Sequence, residues 1–146
     1  MQFTTVFLSA LAAVGSMAAP LEPRAEVVSM MAQATTWTIT GLKRAVNADN
    51  TVTTWTFGIN DGATTTPCTE VVKGAKSSTL SGGPATCGGY TVTSGWSDQF
   101  GAGNEFTTFA VVDNAQRLIV YPAYRDVEVA SGKVVTPDKS YTPTKI

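Results

Sequence analysis

The side chains able to do chemistry are few. The sequence contains no histidine, which removes every histidine-dependent triad, histidine-ligated metal site and imidazole pH switch. Its two cysteines, Cys68 and Cys87, enclose the segment Thr69 to Thr86. Carboxylates are what remain for acid and base work. Asp98 and Glu105 lie near Trp96, the residue types of a glycosidase acid and base with an aromatic ring to stack on a sugar. Nothing in the pattern makes these two acids converge, and acidic loop residues are ordinarily solvated, so no enzymatic activity, cofactor or metal is expected. The stretch Ser81-Gly82-Gly83-Pro84 has neither a following lysine nor a helix signal, so it is no phosphate-cradling loop.

Recognition by shape is the other kind of chemistry available. The segment Ser94 to Asn104 reads as a loop in which Trp96, Asp98, Gln99 and Phe100 stand among Gly95, Gly101 and Gly103. It offers aromatic area on an adaptable backbone, as contact surfaces do. The competing reading has Trp96 and Phe100 plug one end of the fold. A second candidate is Tyr121 to Tyr124 with Arg125, where Pro122 suits an edge position and tyrosine with arginine makes a common interface anchor. Core packing competes for Tyr121. A noncatalytic carbohydrate- or small-ligand-binding module would draw on the same aromatic residues. The pair Lys43-Arg44 reads as a solvated strand end.

Strands must position these residues. In Thr36-Trp37-Thr38-Ile39-Thr40 the bulky residues share one parity and the threonines the other, and Thr54 to Ile59 repeats the arrangement before Asn60-Asp61-Gly62, a strong turn signal. Tyr90 to Thr93, Phe106 to Val112, Leu118 to Tyr121 and Val127 to Val129 continue the series, while no window has a long amphipathic helical period. Asp113-Asn114-Ala115-Gln116 and Ala130-Ser131-Gly132-Lys133 each read as a hairpin turn with Asn or Gly available for positive φ; the second joins Asp126–Val129 to Val134–Thr136. The expected fold is all-β, a compact antiparallel β-barrel or sandwich in a single domain over residues 35–146. The outward threonines are read as strand propensity and solvation rather than as a binding surface.

The chain has 146 residues, with 10 Lys plus Arg against 11 Asp plus Glu and only 14 % charged residues. That excludes a nucleic-acid binder held by phosphate neutralisation. Residues 1–18 carry no charge and hold the apolar run Val6 to Val14 followed by Ser16 and Ala18, the pattern of a secretory signal peptide cleaved after Ala18. The run is well short of the roughly 20 residues needed for a membrane span. Residues 19–34, with Pro20 and Pro23, read as a flexible N-terminal arm, and Pro23-Arg24 is a weak candidate for proteolytic trimming. Export places Cys68 and Cys87 where thiols oxidise, so an intrachain disulfide is expected. No Asn-x-Ser/Thr pattern is present, and N-glycosylation is not expected.

Taken in order, Thr36 to Arg44 (TWTITGLKR), Thr54 to Asn60 (TWTFGIN), Ser81 to Gly101 (SGGPATCGGYTVTSGWSDQFG), Phe106 to Asp113 (FTTFAVVD) and Leu118 to Pro143 form a series. It resembles the Alternaria major-allergen family of fungal secreted proteins, most closely its hypersensitive-response-inducing elicitor branch. The resemblance implies an apoplastic effector or elicitor that plants perceive, inducing cell death and defence by binding. It also implies a plant apoplastic or cell-surface partner, such as a thaumatin-like defence protein, and a flavonoid-type small ligand. Relatives often carry four or more cysteines, whereas Val46 and Thr53 stand beside the second strand here and no cysteine precedes Cys68. A monomer is therefore expected, in place of the disulfide-linked dimer of the allergen branch.

Overall fold

Alternation of bulky apolar residues with threonine produces strands because each strand must bury one face and solvate the other. In the computed structural model, which describes residues 35–146, the first two strands are β1 (Trp37–Val46) and β2 (Val52–Asn60). Trp37, Ile39, Trp55, Phe57 and Ile59 all point to the interior. Asn47 closes the turn between them, its Oδ1 accepting the Thr51 and Val52 amides. At the Asn60-Asp61-Gly62 turn, Gly62 takes φ 98° and Asp61 Oδ1 accepts the Ala63 and Thr64 amides. Those two bonds hold the Asp61 carboxyl below its ordinary range.

The remaining strands are β3 (Thr65–Lys73), β4 (Gly82–Cys87), β5 (Tyr90–Ser97), β6 (Phe106–Asp113), β7 (Leu118–Val120), β8 (Ala123–Arg125), β9 (Lys139–Tyr141) and β10 (Thr144–Lys145). One sheet runs β3-β2-β1-β9 and the other β10-β7-β6-β5-β4, with β8 also paired to β6. All pairings are antiparallel. Of the two expected architectures, the chain adopts the sandwich and not the closed barrel.

Aromatic side chains fill the space between the sheets. Phe109 of β6 meets Trp55 and Phe57 of the facing sheet edge-on, with ring centroids 5.0 and 5.5 Å away, and Tyr124 of β8 at 6.4 Å. Trp37 of β1 meets Tyr90 of β5 in the same way at 5.3 Å. Such T-shaped contacts set a negative ring face against a positive ring edge, adding to the burial of apolar area. The Cys68–Cys87 disulfide joins β3 to β4, the edge strands of opposite sheets, across a Cα separation of 5.1 Å.

Several expected elements change form. Val127 to Val129 is no strand: Asp126–Glu128 and Ala130–Gly132 are short 3-10 turns, so no hairpin joins this segment to Val134–Thr136. Glu128 Oε2 accepts the Arg125 amide and winds the chain into the first turn, and Val129 is driven into the core. The residues from Ser94 to Ser97, expected in a loop, belong to β5, with Ser94 buried. In the Asp113 turn, Asp113 Oδ1 accepts the Ala115 and Gln116 amides, and Arg117, rather than Asn or Gly, takes the left-handed conformation at φ 59°. The stretch Lys76 to Pro84 is tied down, since Asn50 Oδ1 accepts both the Ser77 hydroxyl and the Ser78 amide. The expected signal peptide and N-terminal arm lie outside the described residues.

A bridge closing a loop of this length restricts the unfolded chain by about 3 kcal/mol. The double variant Cys68→Ser, Cys87→Ser should lose about that much in urea unfolding while keeping a β-type circular dichroism spectrum. An unchanged urea midpoint would show that the β3/β4 seam holds without the bridge.

Candidate functional site

Trp96 sits on β5, which the alternation of Tyr90, Val92 and Ser94 carries to the end of the sheet. Its indole Nε1 donates to Asp126 Oδ2 at 3.1 Å, and Asp126 Oδ1 accepts from Arg44 Nη1 at the same distance. Arg44 comes from β1 of the other sheet, and its guanidinium carbon lies 5.6 Å from the centre of the Trp55 ring. Asp126 thus ties a strand of each sheet to the segment after β8. Half-buried Trp96 is a polar tie at the end of the sandwich rather than a core plug, and Phe100 does not plug that end with it. Of the pair Lys43-Arg44, Lys43 is exposed as expected, whereas the Arg44 side chain is only 11 % exposed and is no solvated end.

The Asp126 amide donates to Glu105 O at 2.9 Å, which draws the loop before β6 against the same segment. From there Arg125 reaches outward, Nη2 donating to Gly103 O and Asn104 Oδ1 at 3.1 and 3.2 Å. The Phe100 ring stacks on Phe106 at 5.7 Å between centroids, yet remains 66 % exposed. Gly101 and Gly103, at φ 90° and 85°, let the chain turn tightly enough to present it.

These groups border an open cleft of about 490 Å³, lined by Phe100, Phe106, Ala123, Arg125, Glu128 and Lys139. Tyr124 forms its floor. Lys139 Nζ lies 4.5 Å from the centre of the Tyr124 ring, donates to Ala123 O at 3.2 Å and pairs with Glu128 Oε1 at 2.8 Å. Partial burial raises the Glu128 carboxyl. The Lys139 and Arg125 hydrogen bonds and the positive charges of the same two residues outweigh that and leave it below its usual range. Burial, with Tyr141 beside it, pushes the Tyr124 phenol far up, so this floor stays neutral.

Of the residues singled out in the sequence, Phe100, Tyr124 and Arg125 converge on the cleft. Tyr124 is 1 % exposed and packs against Phe109, so it supports the surface from beneath rather than projecting from it. Tyr121 is 60 % exposed between β7 and β8, outside the cleft and outside the core. Asp98 is exposed, and Glu105 Oε1 is occupied by the Gly103 amide, a local turn contact. Phe106, Glu128 and Lys139 were not singled out. Phe106 lies in a run that reads as plain strand, and Lys139 is placed by the pairing of β9 with β1, which no spacing signals. Among the described residues no cluster suits a metal ion, and no helix is long and apolar enough to cross a membrane.

Trp96→Phe keeps the ring but removes the bond to a charged partner, so chemical unfolding should show a loss of about 2 kcal/mol. Phe100→Ala should cost less than about 1 kcal/mol, since most of the ring is already in water. The reverse order of the two losses would exchange the structural and surface roles given to these aromatics.

The family model described as Effector TSP1 matches residues 38–146, the whole two-sheet unit save its first few residues. A protein described as Effector TSP1 from Hypocrea virens (strain Gv29-8 / FGSC 10586) is 53 % identical over 148 aligned positions, covering 100 % of this chain and 99 % of the relative. The two sheets, their stapled edges and the cleft beside Phe100 are therefore those of a chain that belongs to the Effector TSP1 family.

Proposed function

We propose that this protein is a secreted fungal effector that plants perceive in the apoplast, and that it induces hypersensitive cell death and defence by binding, without altering a bond in its target. One observation carries the reading: Phe100, a large aromatic ring, is held two-thirds exposed beside Arg125 and above a firm Tyr124 floor. An exposed phenylalanine gains little from folding, whereas an aromatic anchor next to an arginine is what protein interfaces concentrate. The backbone beneath is fixed by Arg44, Asp126 and Trp96, so a partner meets a surface already in shape. The resemblance to hypersensitive-response elicitors supports a plant apoplastic or cell-surface protein as the partner, a thaumatin-like defence protein among them.

A second reading concerns the cleft itself. Its volume and its walls of stacked phenylalanines and cationic side chains suit a planar phenolic molecule of the flavonoid type, bound alone or at the edge of the protein contact.

Infiltration of the purified protein into leaves tests the main reading, with necrosis and defence-gene induction scored against dose. The variant Phe100→Ala, Arg125→Ala should fold normally and require at least about tenfold more protein for the same response, as loss of an interface anchor does. Thr69→Ala, on the far face of the other sheet, should match the wild type. Equal potency of the double variant would remove the Phe100 surface from the account. Silence of the wild type in every plant tested would remove elicitation.

A further inference from the structure

We infer that Glu70, buried between the two sheets beside the disulfide, is an acid-favoured latch that keeps the β3/β4 seam closed at low pH and loosens it as the medium becomes neutral. Glu70 is 1 % exposed and lies on the inner face of β3, two residues from Cys68. Its carboxyl crosses to the opposite sheet, where Ser94 Oγ of β5 donates to Oε2. Glu70 Oε1 has no partner.

The space for this crossing is built into the backbone. Gly82 of β4 pairs with Ser94, and a Cβ at position 82 would stand 2.6 Å from Glu70 Oε2 and 2.5 Å from Val72 Cγ2. Any side chain there would displace the carboxyl. The groups facing Glu70 are Trp55 across from it on β2, Gly82 on β4, Ser94 on β5 and Val72 on its own strand. None of them ionises. The nearest cation in the ladder, Arg44, lies one strand beyond Trp55 and is paired with Asp126.

A carboxylate left with one hydroxyl and no cation is costly to bury, whereas the neutral acid is not. Burial accordingly raises the Glu70 carboxyl, with the Ser94 bond offsetting part of the rise. The sign follows from proton linkage. The folded state holds this proton to higher pH than the unfolded state, so the contribution of Glu70 to stability is greatest below the ordinary carboxylate range, opposite in sign to that of Asp61 and Glu128. It falls as pH rises toward the folded value. The strain of ionisation falls on the seam where β3 and β4 meet, since Glu70 and Gly82 are its parts.

The test measures urea unfolding of the full secreted chain from pH 4 to pH 8, for wild type and Glu70→Gln, with amide exchange followed in residues 65–73 and 82–87. The wild-type unfolding constant should rise with pH by up to tenfold per unit, the limit for one proton. Exchange should quicken first in those two segments, and Glu70→Gln should flatten both trends. Carboxyl-carbon NMR of the folded wild type provides a reading that needs no variant, and Glu70 should titrate above the ordinary carboxylate range. A flat wild-type profile, a slope that survives in Glu70→Gln, or a Glu70 resonance titrating in the ordinary range would each overturn the latch.

Discussion

Phe109 is the point on which both sheets turn. Its ring touches Trp55 and Phe57 from the facing sheet and Tyr124 from the strand beside it, so one side chain couples the packing of the core to the floor of the cleft. The backbone pairing of β8 with β6 places Tyr124 against the Phe109 ring, and the edge-to-face contact adds to that pairing. β8 ends on Arg125, and the chain continues directly into Asp126. The outer surface is therefore coupled to the interior through β8.

Polar ties finish what the aromatic layer begins. Asp126 accepts from Arg44 of one sheet and Trp96 of the other, while its amide secures the loop that presents Phe100. At the other edge, Cys68–Cys87 and the Glu70–Ser94 contact cross between the sheets on β3, β4 and β5. Polar ties that cross between the sheets favour one arrangement of them, although Glu70 Oε1 is left without a partner. The recognition role proposed for this surface draws on that restriction, because a partner would spend little free energy on ordering it.

Period-two alternation was legible wherever a strand has a solvated face, as in Trp37 to Ile39 and Trp55 to Ile59. It failed where residue type or a short strand masked the alternation. β3 went unread because Pro67 stands inside it and Glu70, a charged residue type, faces the core. β4 opens with two glycines and a proline, and β9 and β10 are only three and two residues long, too short for any period to show. Val127 to Val129 has the right parity for a strand, but the Glu128 bond to the Arg125 amide is a tertiary choice that parity does not record. Phe100 and Arg125 were visible as residue types beside glycine and tyrosine. Their meeting with Lys139, placed by β9 on the other sheet, was not, since strand order is set by pairing across the whole unit. Arg44 looked like a solvated end for the same reason, because its partner Asp126 lies far along the chain.

The central claim is that the Phe100 face meets a host molecule as a preformed surface. Site-specific photocrosslinking tests it most directly: a photoreactive residue at position 100, or at position 69 on the far sheet, is irradiated in leaf apoplastic fluid. Position 100 should yield one discrete, saturable plant adduct that unlabelled wild type competes away, and position 69 should yield none. Adducts only from position 69, or equal and uncompeted labelling from both, would contradict the account.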